Sequence, residues 1–240
     1  MRRAVTLAWA LFACMVRFGL LRMRGPVSLE RRALWAQEAS RGVLNGLGIR
    51  THVQGQPPTH GLVVSNHLSY LDILILSSEM PCFFVAKIEI AAWPFFGHAA
   101  RACGTLFINR GSLSSALTVS RQIADRLKLP VPILFFPEGT TSDGSSLLRF
   151  HSRFFEPAIL AQAPVTTAAL RYVIEDGTPE RELCWFGDDL FLPHLLKALG
   201  TPGFTARVRF GQPKVYDQRR QAADQTHAEI AAMRHQLPLP

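Results

Sequence analysis

Short apolar segments alternate with helical patterns along almost the whole chain of 240 residues. The strand candidates, each bounded by Pro, Gly or polar residues, are IRTHVQG, GLVVSN, CFFVAK, TLFINR, VPILFF, VTTAALRYV and TARVRFG. Helical patterns cover residues 28–47, 70–78, 112–129, 151–161, 189–199 and 217–233. This alternation predicts an α/β fold, a single domain with a mostly parallel sheet flanked by helices.

The basic residues are concentrated near the N-terminus. Residues 1–50 carry nine Arg and no Lys against Glu30 and Glu38, which is +7 of the chain's net charge of +8. A nucleic-acid-binding face would interleave basic and aromatic residues in a recognised fold, and no such pattern occurs, so we expect no nucleic-acid partner. An anionic membrane surface is the better partner, since each nearby Arg contributes about 1 kcal/mol to binding acidic lipid.

The N-terminal segment also predicts a membrane anchor. Its apolar run from Ala4 to Val16 makes only about 20 Å of helix, and it reaches Leu21 if Arg17 snorkels. A signal peptide would need a small-x-small cleavage site before a mature start, which is not found. We expect an in-plane or re-entrant amphipathic helix rather than a span. Residues 1–50 then form membrane-associating helices and residues 51–240 the main domain, with Ser28 capping the second helix and Gly46 or Gly48 ending it.

The four cysteines predict no metal site. Cys14, Cys82, Cys103 and Cys184 form no C-x-x-C pair and have no His at metal-ligand spacing. They are typical of small buried apolar residues in a reducing compartment.

The segment NHLSYLD places His67 and Asp72 five residues apart in apolar surroundings. On one continuous helix the two side chains would point about 140° apart. They can meet if His67 lies in the loop after the GLVVSN strand and Asp72 in the first turns of the next helix. That arrangement is a base with an orienting acid, as in a nucleophilic triad. No Ser or Cys in the segment stands out as a nucleophile, so the nucleophile could belong to the substrate.

Polar residues also follow two other predicted strands. Asn109 and Arg110 end GTLFINR, and Glu138, Gly139 and Thr140 follow VPILFFP. The carboxyl ends of strands in α/β sheets deliver ligand-binding groups, and a glycine there lets the backbone approach a ligand. Three such strand ends in order indicate one site.

These motifs resemble the glycerolipid acyltransferase family, which includes the lysophosphatidic acid acyltransferases. The resemblance rests on NHLSYLD (His, four residues, Asp), GTLFINR, FPEGT and the Pro-containing strand APVTTAAL, in that order. It extends to FVAKIEIAAWPFFG and CWFGDDLFLPHLLKALG and so covers roughly residues 30–235. The combination of H-x4-D and FPEGT is highly specific.

The resemblance implies acyl transfer from acyl-CoA or acyl-carrier protein to the hydroxyl of a lysolipid, with no bound cofactor. His67 would be the general base and Asp72 would fix its tautomer. The substrate-binding residues would be Lys87, Asn109, Arg110, Glu138, Gly139 and Thr140. Arg110 and Lys87, with the Glu138–Gly139 turn, would hold the acceptor's phosphate, and Glu138 would orient Arg110 or an acceptor hydroxyl. The resemblance places the protein at the cytoplasmic face of a bacterial inner membrane.

The acceptor is left open by one departure from the family pattern. Many members that form phosphatidic acid carry a basic residue after EGT, whereas this chain has Thr141. Arg149 or Arg153 could replace that contact, or the acceptor could be a lyso-ornithine lipid instead of 1-acyl-glycerol-3-phosphate. Two other readings are an inactive lipid-binding protein and a hydrolase using Ser65 or Ser69, although no G-x-S-x-G turn is present.

Overall fold

The computed structural model of the protein describes residues 2–94, 96–109, 113–201 and 203–237. The helices of these residues are α1 (Arg2–Met23), α2 (Leu29–Leu47), α3 (Leu71–Glu79), α4 (Phe96–Ala102), α5 (Leu113–Arg126), α6 (Glu156–Leu160), α7 (Phe191–Gly200) and α8 (Arg219–Gln236). The strands are β1 (Arg50–Gln54), β2 (Leu62–Ser65), β3 (Phe83–Lys87), β4 (Leu106–Ile108), β5 (Ile133–Phe135), β6 (Val165–Ile174) and β7 (Phe204–Phe210). Short 3₁₀ turns precede α4, α6 and α7.

The described strands form one sheet in the order β1-β7-β6-β2-β5-β3-β4. Every neighbouring pair is parallel except β6 and β7. The α/β fold with a mostly parallel sheet is therefore confirmed. Because β2, β5, β3 and β4 are parallel neighbours, their carboxyl ends lie along one edge of the sheet.

Helices cover both faces of the sheet, as the apolar sequence of β2 requires. Val63 packs on one face with residues of α2 and α3, while Leu62 and Val64 pack on the other with residues of α5, α6 and α8. Successive side chains of a strand point to opposite faces, so this strand contributes to two cores. All four residues of β2 are buried, which fixes the position of the turn that follows it.

Local signals set the ends of α2. Ser28 is its N-cap, with the Arg31 N–H donating to Ser28 Oγ at 3.4 Å, and Gly48 ends it at a φ of 67°. The predicted helix over residues 28–47 is confirmed. By contrast, residues 151–161 form a 3₁₀ turn followed by α6 rather than one helix, and α4 was not predicted. Pro94 and Gly97 interrupt the apolar pattern there and conceal the helix.

Helix α1 is longer than the predicted apolar run and packs mainly against α2, with a further contact just after α7. The rings of Phe18 and Trp35 lie 4.7 Å apart, and Arg17 pairs with Glu38 at 2.7 Å. Arg17 is thus paired with α2. An Arg3 guanidinium N–H donates to the Thr201 carbonyl just after α7. The segment from residue 3 to residue 23 is long and apolar enough to cross a membrane, by length and composition alone.

The opposite side of α1 carries exposed apolar side chains spaced three or four residues apart. This outer stripe consists of Val5, Trp9, Phe12, Val16, Leu20 and Met23. Such spacing places the side chains on one helix face. Helix α1 is therefore apolar on two sides, one packed against the protein and one exposed.

Candidate active site

His67 and Asp72 meet in the turn between β2 and α3. β2 ends at Ser65, and Asp72 lies in the first turn of α3, which begins at Leu71. His67 Nδ1 is 2.7 Å from Asp72 Oδ2. The Asp72 side chain is 0% exposed and that of His67 is 17% exposed. The geometry expected from the loop and first-turn placement is present, and the catalytic roles assigned to the pair remain a prediction.

Hydrogen-bond donors surround the buried Asp72 carboxylate. Oδ2 accepts from the backbone N–H groups of Leu68 (2.6 Å) and Ser69 (3.1 Å) in addition to His67. Oδ1 accepts from the hydroxyl of Tyr172, a buried residue of β6. Donors of this kind offset the cost of burying a carboxylate and hold it in one position. Burial and the neighbouring Asp72 charge raise the pKa of Tyr172, which keeps its hydroxyl protonated as a donor.

The Asp72 contact sets the tautomer of His67. Because a carboxylate accepts at Nδ1, that nitrogen carries the proton and Nε2 carries the lone pair. Nε2 forms no hydrogen bond with any residue that the structure describes. The imidazole stacks on Phe136, with ring centroids 3.8 Å apart and an angle of 6° between the planes. The ring is therefore fixed with an available base at the carboxyl edge of the sheet.

Glu138 supports the His67 turn from the next strand. Its Oε1 accepts from the His67 N–H at 2.8 Å, and its Oε2 accepts from the Leu148 N–H at 3.0 Å. The residue is 3% exposed. Both carboxylate oxygens thus have backbone partners. The expected contact of Glu138 with Arg110 or an acceptor hydroxyl stays a prediction, because Arg110 lies outside the described residues. Glu138 is placed as a positioning residue that joins the end of β2 to residue 148.

Burial makes the Glu138 carboxyl a weaker acid than usual. Burial raises the pKa of this carboxyl to about 7, against the lowering effect of its two backbone donors, while Asp72 raises it further and Arg234 lowers it. The folded protein therefore binds a proton that the unfolded chain releases between about pH 4.5 and pH 7. Since the folded pKa is the higher one, this carboxyl contributes less stability as the pH rises through that window.

Replacing Glu138 with Gln tests this linkage. The free energy of unfolding of the unchanged protein minus that of Glu138→Gln should fall by about 1–3 kcal/mol between pH 4.5 and pH 7. Chemical denaturation in detergent at several pH values measures the difference. Glu89→Gln, at an exposed residue beside β3, is the matched control and should show no such trend. A difference for Glu138→Gln that does not change with pH would contradict the raised pKa.

The other predicted substrate-binding residues lie along the same edge of the sheet. Lys87 ends β3 and Asn109 follows β4, and both are exposed. Strands are about 4.8 Å apart, so these two positions lie about 10 and 14 Å from β2 across the sheet. Gly139, at a φ of 77°, closes the turn after β5 by donating to the Phe136 carbonyl at 3.1 Å, and Thr140 is exposed next to it. Arg110 lies outside the described residues.

Hydrogen bonds of Asn66 and Arg234 connect the turn that carries His67 to β6 and α8. The Asn66 amide bonds both backbone groups of Leu170, at 2.8 and 3.1 Å. Arg234 of α8 donates to the Leu170 carbonyl, to the Gly144 carbonyl at 2.8 Å and to Glu180 at 2.9 Å. Sequence reasoning did not assign a role to Arg234 or Tyr172, which reach the site only through the packing of α8 and β6.

Tyr70 connects the turn to a cluster of aromatic side chains. Its hydroxyl donates to His194 Nδ1 at 3.1 Å, because His194 Nε2 donates to the Cys184 carbonyl at 3.0 Å. Burial lowers the pKa of His194, in keeping with this neutral tautomer. The rings around Tyr70, here called the aromatic cluster, are Trp93, Phe96, Trp185 and Phe191. This cluster offers an apolar wall beside the turn that carries His67.

The serines near His67 are not placed as nucleophiles. Ser65 and Ser69 are both 0% exposed. Ser65 Oγ donates to the Asn66 carbonyl, and Ser69 Oγ accepts from the Leu71 N–H and contacts the Tyr172 hydroxyl. Within the described ranges, no three His, Cys, Asp or Glu side chains gather as metal ligands. The arrangement can thus accept a proton from a bound molecule at Nε2, with neither Ser65 nor Ser69 placed as a nucleophile.

The chain is similar to a family model and to proteins of known activity. Residues 49–171 match the family described as Acyltransferase. A lyso-ornithine lipid O-acyltransferase of Pseudomonas aeruginosa is 39% identical over 70% of this chain and 64% of its own length. A 1-acyl-sn-glycerol-3-phosphate acyltransferase of Neisseria meningitidis is 41% identical over 58% of this chain and 56% of its own length. The match thus spans less than two thirds of either relative.

A solved structure has the same fold as this chain. The crystal structure of the 1-acyl-sn-glycerophosphate acyltransferase of Thermotoga maritima superposes with a TM-score of 0.70, covering 99% of this chain and 98% of that one at 18% identity. The family match includes β1 to β5 and most of β6, and with them His67, Asp72 and Glu138. On the strength of that match, this chain belongs to the acyltransferase family.

Proposed function

We propose that this chain transfers a fatty acyl group from an acyl thioester, either acyl-CoA or acyl-carrier protein, to the hydroxyl of a lysolipid. The observation that carries the proposal is the His67–Asp72 pair, held by buried donors with Nε2 available at the carboxyl edge of the sheet. A base beside which neither Ser65 nor Ser69 is placed as a nucleophile suits a reaction whose nucleophile is the substrate's own hydroxyl.

The proposed reaction moves one proton through His67. Nε2 removes the proton of the acceptor hydroxyl while the hydroxyl oxygen attacks the thioester carbonyl carbon. The resulting tetrahedral intermediate collapses by breaking the carbon–sulfur bond, and the leaving thiolate takes the proton back from Nε2. Asp72 balances the positive charge on the imidazolium in between. The products are the acylated lipid and a free thiol, and no bound cofactor takes part.

The first candidate acceptor is 1-acyl-glycerol-3-phosphate, which would yield phosphatidic acid. A lyso-ornithine lipid is the second candidate, because the relative from Pseudomonas aeruginosa, which is 39% identical, bears that activity in its name. The aromatic cluster beside Tyr70 would contact an acyl chain in either case. Both acceptors present a free hydroxyl and an anionic group, so the same base serves each.

A substrate panel tests the proposed function. Purified protein is incubated with labelled acyl-CoA or acyl-carrier protein and with each of the two lysolipids, and the products are separated by chromatography. Label in the diacylated lipid is the expected result. Release of free fatty acid in the absence of acceptor would indicate a hydrolase instead. Lipid binding without turnover for any donor and acceptor would indicate an inactive binding protein.

We further propose that α1 lies in the plane of a membrane, at the cytoplasmic face of a bacterial inner membrane. Its inner face is attached to the domain near both ends, through Arg3 and Phe18, while its outer stripe is apolar and exposed. A helix attached along its length supports an in-plane orientation rather than an independent span. The Arg residues of this segment would add attraction to anionic lipid.

The outer stripe provides a sharper test of membrane binding than deletion of α1, which would expose the core. The triple variant Trp9→Ser, Phe12→Ser and Val16→Ser should bind anionic vesicles about a thousandfold more weakly or worse, because each side chain loses about 1.5–3 kcal/mol of burial in the bilayer. Vesicle sedimentation measures binding. The double variant Leu160→Ser and Val215→Ser changes exposed apolar residues elsewhere and serves as the control. Unchanged binding of the triple variant would remove the anchor proposal.

A further inference from the structure

A basic concavity lies in the segment that follows the turn after β5. It is formed by residues 149–153, includes the side chains of Arg149, His151 and Arg153, and has a volume of about 270 Å³. That volume corresponds to roughly nine water molecules, enough for a phosphate or carboxylate group with some hydration. Arg149, His151 and Arg153 are all exposed.

Hydrogen bonds connect the backbone of this segment, through Glu138, to the turn that carries His67. The Leu148 N–H donates to Glu138 Oε2 at 3.0 Å, and the His151 N–H donates to the Pro137 carbonyl at 2.9 Å. The other oxygen of Glu138 accepts from the His67 N–H at 2.8 Å. One carboxylate therefore spans the distance between His67 and the residue that precedes Arg149.

Aromatic anchors hold the segment in place and turn its basic side chains outward. Phe150 and Phe155 are buried in the core. The Phe155 ring packs against Phe135 of β5 at 5.6 Å, and Phe150 packs against His227 of α8 at 4.9 Å. With these two rings fixed, Arg149 and Arg153 are directed to the surface. A ligand at this place would meet a site whose backbone is already ordered.

The two guanidinium groups have no acidic partner among the residues that the structure describes. The nearby acids are used elsewhere: Asp143 pairs with Arg181 at 3.5 Å and Glu156 with Arg219 at 3.2 Å. Arg153 lies over the Phe154 ring at 5.2 Å, a contact that leaves its N–H groups available. Two unneutralised guanidinium groups with bidentate donors suit an oxyanion better than any neutral group.

We propose that Arg149 and Arg153 bind the oxyanion of the acceptor's head group, a phosphate monoester or a carboxylate, and so place its hydroxyl against His67. This inference rests on the proposed function. The tie through Glu138 fixes the distance between the anion site and the base. The acceptor is thereby held at its charged end while its hydroxyl reaches Nε2.

Kinetics of matched variants test the assignment. Arg149→Gln and Arg153→Gln should each raise the KM for the acceptor about tenfold or more, with a smaller change in kcat, and the double variant should raise it further. The KM for acyl-CoA and for acyl-carrier protein should stay the same. Arg149→Lys, which keeps the charge, should recover part of the loss. Arg121→Gln removes an equal charge from the exposed surface of α5 and should have no effect on any of these constants.

Two results would overturn the proposal. One is an unchanged acceptor KM in the double variant, with thermal unfolding showing that it is folded. The other is a rise in KM for acyl-CoA alone, with no rise for acyl-carrier protein or for the acceptor, because that pattern would assign the arginines to a phosphate of the donor nucleotide.

A binding measurement separates this proposal from the proposed function. Inorganic phosphate added to the purified protein should shift the nuclear magnetic resonance signal of the His151 ring, assigned by its loss in His151→Gln. The shift should disappear in the Arg149→Gln, Arg153→Gln double variant and persist in Arg121→Gln. A phosphate-dependent shift without acyl transfer to any acceptor would refute the proposed function and retain the anion site. Acyl transfer without any shift, and with an unchanged acceptor KM in the double variant, would refute the anion site and retain the proposed function.

Discussion

Replacing His67 with Ala should lower acyl transfer by a factor of about 10²–10⁴, the range for loss of a general base. The imidazole is the group that would accept the acceptor's proton, and no described side chain near it can take over the role. The loss should appear in kcat at saturating lysolipid, because the base acts in the transition state and the proposed head-group contacts are untouched. Single-turnover transfer of labelled acyl groups measures it.

The fold should survive this change. His67 lies in a turn, its side chain is partly exposed, and Asp72 would keep its two backbone donors and Tyr172. Thermal unfolding followed by circular dichroism checks this point. His60→Ala, at an exposed histidine, is the control and should transfer normally. Normal turnover in folded His67→Ala protein would rule out the mechanism.

Replacing Asp72 with Asn should also reduce kcat strongly, by about 10²–10⁴. An amide oxygen at the Oδ2 position can still accept from His67 Nδ1, Leu68 and Ser69, and the amide nitrogen can donate to the Tyr172 hydroxyl oxygen. The hydrogen-bond geometry can therefore persist while the negative charge is lost. The imidazolium that forms during transfer then has no counter-charge in a buried place, and the barrier rises.

This variant separates charge from shape. Asp72→Asn should remain folded and bind lysolipid with little change, whereas Asp72→Ala should leave two backbone N–H groups and the Tyr172 hydroxyl without their acceptor and lower the thermal midpoint. Asp125→Asn, at an exposed residue paired with Lys128, is the control. If Asp72→Asn transferred acyl groups at the normal rate, the carboxylate would be structural only.

Much of the fold could be predicted from the sequence because its signals are local. Ser28 and Gly48 delimit α2, and the apolar run of residues 62–65 predicts a strand covered on both faces. The His67–Asp72 contact could also be predicted, since a spacing of five residues across a strand end and a helix start brings the two side chains together. The strand order could not be predicted from the sequence, because pairing between strands depends on packing across the whole chain.

The rest of the site depends on contacts that no local pattern contains. Tyr172, whose hydroxyl donates to Asp72, lies 100 positions away from it in the sequence. Glu138 accepts hydrogen bonds from two backbone N–H groups, and backbone groups leave no signal in the sequence, so these two partners could not be predicted.

The pairing of β1 with β7 has a consequence for biosynthesis. Arg50 of β1 aligns with Thr205 of β7, so this strand pair cannot form until β7 has been synthesised and has left the ribosome. Contacts between such distant segments form slowly during folding. Helix α1 precedes β1 in the chain and takes part in none of these strand pairs. If α1 binds a membrane as proposed, it would reach the lipid surface while the sheet is still open, and the turn that carries His67 would be completed next to that surface.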